Sequence, residues 1–162
     1  MQAYSKTLIL AMEQCVLNAI GFHLSVPTSL HFLRRFSMAA RNDYRVHTLC
    51  KFLIEVALLD LKMCTCYMPS MIAASSVYLA RVMTGHTTPV WTATLEHYTQ
   101  YNPSQLTQCV SDLNDSLRRT HESTLQAVIR KYSLRKFGEV AKIPLVDTTC
   151  SLSFATSSNN AM

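Results

Sequence analysis

Histidine, cysteine, serine and acidic residues are all present in this 162-residue chain, but their spacing assembles no catalytic site. Asp112 and Asp115 share a predicted helix face, where we expect solvated carboxylates rather than an acid and a base meeting in a pocket. No two histidines form the His-Glu-x-x-His pattern of a helical zinc site. The three glycines stand apart, so the phosphate-binding glycine loops and the serine nucleophile elbow are absent. We therefore expect no enzymatic activity and no cofactor.

The six cysteines are better explained by packing than by chemistry. Cys15, Cys50 and Cys109 fall on apolar faces of predicted helices, where a reduced thiol packs as a small hydrophobic group. Cys64 and Cys66 form a Cys-x-Cys pair, but the second pair that would make a zinc assignment strong is missing. We expect reduced cysteines and no bound metal.

The formal net charge of +5 is concentrated in residues 118–142, while the rest of the chain is balanced. The basic residues of this cluster, opposed within it only by Glu122 and Glu139, are Arg118, Arg119, Arg130, Lys131, Arg135, Lys136 and Lys142. Such a cluster can bind nucleic acid or an acidic partner surface. A solvated helical face beside a polar loop is the favoured interpretation, so we do not expect nucleic acid as a partner.

Composition and hydrophobic periodicity predict an all-α fold. Hydrophobic residues make up 49% of the chain, enough for a core, whereas a sheet-rich fold would need more glycine for its tight turns. Apolar spacing and start signals predict helices over 6–20, 29–41, 45–60, from Pro69, and over 89–99, 103–119 and 123–132. No apolar run reaches the roughly 18 to 20 residues that span a bilayer, which favours a soluble intracellular protein without a membrane partner.

Apolar residues at helical spacing mark the helix faces that should be buried. The helix over 45–60 is the most apolar, so we expect it at the centre of the bundle. Its buried positions should be Leu49, Phe52, Leu53, Val56 and Leu59. Those of helix 29–41 should be Leu30, Leu33 and Phe36. In helix 123–132 one face carries Leu125, Val128, Ile129 and Tyr132.

Single residues set the ends of the first two helices. Gly21 is placed to cap the C-terminus of helix 6–20. Residues 22–27 form an extended linker, because the residue before Pro27 is pushed out of the helical region. Thr28 is placed to cap the second helix. Beyond residue 147 Ser, Thr and Asn dominate without periodicity, so we expect a disordered tail over 148–162.

Several ordered stretches resemble one known family. Residues 12–24 read Met-Glu-Gln-Cys-Val-Leu-Asn-Ala-Ile-Gly-Phe-His-Leu and are followed by Pro27. They are similar to the end of the first box of a cyclin and the linker into its second box. Residues 30–35 (Leu-His-Phe-Leu-Arg-Arg) resemble the opening of the second box in mitotic B-type cyclins.

Four further stretches fit the same assignment. Residues 47–49 (His-Thr-Leu) and 95–98 (Leu-Glu-His-Tyr) are similar to the B-type subfamily. Residues 131–133 (Lys-Tyr-Ser) and 137–144 (Phe-Gly-Glu-Val-Ala-Lys-Ile-Pro) look most like the type-three B cyclins. The resemblance covers residues 4–147.

The resemblance implies a regulatory subunit of a cyclin-dependent kinase in the mitotic cycle, located in the nucleus and also the cytoplasm. A cyclin holds the mobile helix of the kinase in its active position, which biases a two-state element. The kinase-facing residues of the family match Glu13, Leu17, Phe22 and Leu24. Apart from the resemblance, Leu17 and Phe22 would be core residues, Glu13 a solvated helix residue and Leu24 a linker anchor.

The resemblance also implies a domain organisation. We expect a remnant of the N-terminal cyclin box and linker over 1–26, a C-terminal cyclin box over 27–120, and a C-terminal helical extension over 121–147. The lysine partner of Glu13 and most of the first box would then be missing, and helix 6–20 would expose an apolar patch. The alternative function is a non-activating cyclin-box scaffold that binds another protein or nucleic acid.

Overall fold

The computed structural model describes residues 4–85 and 89–146. Within these ranges the chain forms helices and 3₁₀ turns and contains no β-strand, which confirms the predicted all-α class. The elements are α1 (Lys6–Ala19), α2 (Ser29–Ala39), α3 (Tyr44–Ala57), α4 (Leu61–Cys66), α5 (Pro69–Met83), α6 (Ala93–Thr99), α7 (Pro103–Glu122), α8 (Ala127–Tyr132) and 3₁₀ turns at Arg135–Phe137 and Val140–Lys142. None of these helices has both the length and the apolar character needed to pass through a bilayer. The tail over 148–162 lies outside the described residues.

Helix α3 lies at the centre of the bundle and packs against α2, α5 and α7. Leu49, Leu53 and Val56 are fully buried, and Phe52 is buried almost completely. The prediction of a buried central helix is confirmed. Leu59 is the exception: it is half exposed, because α3 ends at Ala57 and Leu59 already belongs to the turn that follows.

Helix α5 packs against three neighbours, α2, α3 and α7. Its middle consists of small buried side chains, namely Ala73, Ala74, Ser75 and Ser76. Small side chains allow helix axes to approach closely, so α5 fits between its neighbours. Pro69 stands at its first position, where the missing backbone N–H leaves no helical hydrogen bond unmade.

The segment after α7 returns to cover α3. Tyr132 is 2% exposed, and its ring centroid lies 5.3 Å from that of Phe52. The Tyr132 hydroxyl donates to Glu55 Oε1 on α3 at 2.7 Å. Val140 is fully buried in the same core. Residues of α8 and of the second 3₁₀ turn therefore share the core that α3 organises.

Two helix starts differ from the sequence prediction. Helix α6 begins at Ala93 rather than at 89, because Thr92 Oγ1 accepts the backbone N–H of Leu95 at 3.2 Å and so caps the helix. The short helix α4 was not predicted. Its N-cap is Asp60, whose carboxylate accepts the Lys62 backbone N–H at 3.0 Å.

The predicted helix over 123–132 is shorter in the structure. Helix α7 continues to Glu122, and α8 begins only at Ala127. Leu125 therefore lies in the connection and is 68% exposed instead of sharing a buried face with Tyr132. Leu30 is a second correction: it lies at the open first turn of α2 and is exposed, whereas the other two inward positions of that helix, Leu33 and Phe36, are buried.

Asp112 is buried, contrary to the expectation of a solvated carboxylate. Its Oδ2 accepts the Tyr67 hydroxyl at 2.5 Å and the Lys62 ammonium at 2.7 Å, and its Oδ1 accepts the Gln108 amide at 3.2 Å. Burial acts to raise the pKa of Asp112, but the hydrogen bonds from Lys62 and Tyr67 outweigh it and lower the pKa. Asp115, one helical turn away, is exposed, so the two carboxylates form no acid–base pair.

Because α3 lies at the centre of the bundle, truncating one of its buried side chains should destabilise the whole fold. We expect Phe52→Ala to lower the free energy of unfolding by about 3–5 kcal/mol, because a buried aromatic ring is replaced by a cavity. Urea unfolding followed by circular dichroism measures this loss. Leu61→Ala, at a position 78% exposed, is the matched control and should change stability by less than about 0.5 kcal/mol. Similar midpoints for the two variants would contradict the assignment of α3 as the central helix.

Candidate functional site

The four predicted site residues lie on α1 and the linker that follows it. Ser5 caps the N-terminus of α1, because its Oγ accepts the backbone N–H of Leu8 at 3.3 Å. No residue of α1 is buried, and of the residues in the helix only Leu17 is partly covered. The first helix therefore gains little from the hydrophobic core and presents its apolar residues to solvent.

Helix α1 ends in a Schellman motif, which confirms the predicted role of Gly21. Gly21 has φ +59° and its N–H donates to Asn18 O at 3.1 Å. The N–H of Phe22 donates to Leu17 O at 2.9 Å. These two bonds close the last carbonyls of the helix in the manner typical of this motif. The motif thus places Phe22 directly after the turn that carries Leu17.

The linker is held by its backbone. Phe22 also has a positive φ, +56°, which is a strained region for a bulky side chain. The N–H of Leu24 donates to Phe22 O at 2.9 Å, and the N–H of Val26 donates to Leu24 O at 3.1 Å. The predicted extended linker over 22–27 is wrong at its first residue, because Phe22 belongs to the left-handed turn; the residues from 23 to Pro27 form no helix.

An apolar groove of about 830 Å³ runs along α1 and is closed at one end by the linker. Three of the predicted site residues line it: Glu13, Leu17 and Leu24. The other lining residues are Tyr4, Leu8, Ile9, Met12, Val16 and Ile20. Phe22 does not line the groove but projects from the adjoining turn with 61% of its surface exposed. The interpretation of Phe22 as a core residue is therefore wrong.

Among the described residues that line this groove, Glu13 is the only carboxylate. Among residues 4–85 and 89–146, no basic side chain lies within 4.0 Å of it. Its oxygens are free to accept hydrogen bonds from a partner at the rim of an otherwise apolar surface. Such an arrangement supports binding of a second protein and offers no nucleophile or acid–base pair for catalysis.

The sequence pattern predicts most of the groove as an exposed apolar helix face, although it identifies only Glu13, Leu17 and Leu24 of the lining residues as site residues. Leu8, Met12, Val16 and Ile20 follow one another at four-residue spacing, the signal of one helical face. This spacing predicts a helix with one exposed apolar face. Leu24 lies in the linker, outside the helical repeat, so no hydrophobic periodicity predicts that it lines the groove. The closing contact becomes visible only with the geometry of the turn.

The cysteines support no metal site in the part of the chain that the structure describes. Cys50 and Cys109 are buried, as predicted, and burial raises the pKa of Cys109 to about 11. Cys15 is exposed, because the helix that carries it packs on no core, and this corrects its prediction. Cys64 and Cys66 are free and exposed.

The basic cluster over 118–142 does not form one continuous charged face. Arg119 Nη2 contacts Asp60 Oδ2 at 2.5 Å, and an Arg118 nitrogen donates to Val146 O at 2.9 Å. Further along the chain, Lys131 pairs with Glu55 at 2.6 Å and Lys142 with Glu139 at 2.7 Å. Two ion pairs with carboxylates distant in sequence, which sequence cannot show, therefore oppose Arg119 and Lys131, and a local pair with Glu139 opposes Lys142.

Comparison with known proteins places the chain in a family. Residues 27–145 match the family described as "Cyclin, C-terminal domain". The chain is 45% identical over 139 residues to the G2/mitotic-specific cyclin-B of Dictyostelium discoideum, covering 86% of this chain and 32% of that protein. It is 41% identical over 145 residues to Cyclin-A2-1 of Oryza sativa subsp. japonica, covering 86% of this chain and 29% of that protein.

A third relative, Cyclin-B2-2 of Arabidopsis thaliana, is 39% identical over 140 residues, again covering 86% of this chain and 32% of that protein. The chain belongs to the cyclin family, related to the A-type and B-type mitotic cyclins, which are non-catalytic regulatory subunits. It spans about a third of the length of the curated relatives it matches.

The capping motif predicts a specific effect of replacing Gly21. Gly21→Ala forces a Cβ into a left-handed conformation, which costs about 1–2 kcal/mol and opens the turn. We expect chymotrypsin to cleave after Phe22 about 5- to 30-fold faster, since cleavage follows the population of the open form. Gly85→Ala, with φ +70° in another turn, is the matched control and should leave the cleavage rate at Phe22 unchanged. An unchanged rate in Gly21→Ala would contradict the capping role.

Proposed function

We propose that this chain is part of a regulatory subunit that binds a cyclin-dependent kinase in the mitotic cycle, and that α1 and its linker form the kinase-binding surface. The carrying observation is the exposed apolar groove of α1, lined by Glu13, Leu17 and Leu24, with Phe22 exposed beside it. These four residues match the kinase-facing positions that the resemblance to cyclins identifies. Membership of the cyclin family and similarity to A-type and B-type relatives support the proposal.

The apolar groove supplies the energy for such an interface. Leu8, Ile9, Met12 and Leu24 each leave more than half of their surface exposed. Burying one such side chain fully against a partner contributes about 1.5–3 kcal/mol, so a helix laid along this groove gains enough to bind even after the entropic costs of association. Recognition of an amphipathic helix in a hydrophobic groove is a common mode of protein binding.

Glu13 gives the surface its polar specificity. An unpaired carboxylate at the rim of an apolar groove favours a partner that presents backbone N–H groups or a cation at that point. A partner without such donors leaves the carboxylate desolvated and unpaired, which disfavours binding. Glu13 therefore selects the register of the bound segment more than it adds to affinity.

The finer assignments rest on the resemblance. We place the chain in the type-three B subclass on residues 131–133 and 137–144, and in the nucleus and cytoplasm as expected for that subclass. Residues 1–26 correspond to the end of a first cyclin box and its linker, 27–120 to the second box and 121–147 to a C-terminal extension. That the partner is a cyclin-dependent kinase is inferred from the resemblance. Binding to such a kinase is therefore the first part of the proposal to test.

Retention of purified cyclin-dependent kinases by the immobilised chain tests the proposal. The double variant Phe22→Ala plus Leu24→Ala removes two exposed apolar side chains of the surface. We expect this variant to bind the kinase about 30-fold more weakly or worse. Truncating central apolar side chains of an interface lowers the binding free energy by about 2 kcal/mol or more. The matched control is Leu61→Ala plus Met68→Ala, which removes two similarly exposed side chains elsewhere and should bind as the unmodified chain does.

Circular dichroism of each variant establishes that the helices are retained. Absence of kinase binding by a folded, helical chain contradicts the proposal, as does equal binding by the two double variants. Binding that leaves kinase activity unchanged favours the alternative, a scaffold that does not activate.

A further inference from the structure

One edge of the molecule keeps cations that the ion pairs do not neutralise. Arg45 at the start of α3 and Arg135 and Lys136 in the first 3₁₀ turn are all exposed. Within residues 4–85 and 89–146, no carboxylate lies within 4.0 Å of any of these three side chains. Lys131 adjoins them and shares its charge with Glu55. We call these four residues, Arg45, Lys131, Arg135 and Lys136, the basic edge.

The basic edge is held together by contacts between parts of the chain distant in sequence. The Tyr44 hydroxyl donates to Lys136 O at 2.9 Å, which ties the first 3₁₀ turn to the start of α3. Gly138, with φ +68°, ends that turn, and a Cβ built on it would lie 3.8 Å from Arg45 Cγ. The stem of Arg45 therefore lies beside the turn that carries Arg135 and Lys136.

Two aromatic rings, those of Phe137 and Tyr132, pack beneath the lysine ammonium groups of the basic edge. The ring of Phe137 lies 5.1 Å from Lys136 Nζ and 5.8 Å from Lys131 Nζ. The same ring lies 5.2 Å from that of Tyr132, which in turn packs on Phe52 in the core. The positive charges thus stand on a rigid part of the fold, so an anionic partner meets a surface that needs little reorganisation.

We propose that the basic edge docks an acidic segment of a partner protein. Clustered cations that outnumber the carboxylates beside them, Glu55 and Glu139, attract a run of aspartate or glutamate residues. The aromatic rings within the basic cluster do not favour nucleic acid: Tyr132 is buried and Phe137 is partly covered, with lysine ammonium groups against its ring. Tyr44 is the exposed ring that the described residues place beside the basic edge, with 66% of its surface open and its hydroxyl bonded to Lys136 O. A single strand stacks successive bases on several such rings, so one ring gives a weaker platform than nucleic-acid binding uses.

Exposed charge contacts are individually weak and are screened by salt. Docking on the basic edge consequently needs several acidic residues in one segment and weakens steeply as ionic strength rises. The basic edge involves neither α1 nor its linker, so this interaction is independent of the kinase-binding surface.

Fluorescence anisotropy of a labelled twelve-residue polyglutamate peptide with the full chain tests the proposal. Arg135→Gln plus Lys136→Gln should weaken binding at low salt by about tenfold, as expected when two charge contacts are removed. The matched control, Arg35→Gln plus Arg119→Gln, removes the same charge from α2 and from α7, outside both proposed surfaces, and should change binding by less than about twofold. Kinase retention should be the same in both double variants.

Three results would overturn the inference. The first is absence of peptide binding at low salt. The second is equal loss of binding in both double variants, which would mean that net charge alone attracts the peptide. The third is tighter binding of a single-stranded DNA carrying the same number of charges, which would make the basic edge a nucleic-acid surface.

Discussion

The fold depends on the burial of α3 on several sides at once. Helices α2, α5 and α7 pack around it, and the segment after α7 returns to place Tyr132 on Phe52. Each of these elements contacts α3, and α5 also packs against α2 and α7, so the core is shared and its parts stabilise one another. The polar contacts at its margin, such as Asp112 with Tyr67, fix the orientation of neighbouring elements without replacing this hydrophobic driving force.

Helix α1 stands outside that constraint. It has fourteen residues and none is buried, and isolated helices of this length are marginal in water. Both ends of α1 are capped, by Ser5 at the N-terminus and by the Gly21 motif at the C-terminus. Each cap stabilises the helix by only about 1 kcal/mol. The stability of α1 thus depends on what covers its apolar groove. A helix of this kind suits a surface whose order is completed by a partner, as the proposed kinase-binding role requires.

Local signals in the sequence predicted the central helix, the Gly21 cap and the proline start of α5, because each depends on spacing or on one residue type. The errors have a different origin. Leu125 follows a helical pattern, but α7 continues through the residues where a new helix was expected to begin. Asp112 is covered by Lys62 on α4 and by Tyr67 at the end of α4, and its sequence neighbours do not predict these contacts. The ion pair of Lys131 with Glu55 likewise joins residues far apart in the chain. Of the site, α1 and its exposed apolar face were predictable, whereas the groove closed by Leu24 required the turn geometry.

Hydrogen exchange of the α1 backbone amides, with and without a cyclin-dependent kinase, is the most direct test of the central claim that α1 is ordered by its partner. Our account predicts that α1 amides of the free chain exchange far faster than those of α3, and that the kinase slows α1 exchange by about tenfold or more while leaving α3 unchanged. Protection of α1 equal to that of α3 in the free chain would contradict this account, and so would α1 exchange that the kinase does not alter.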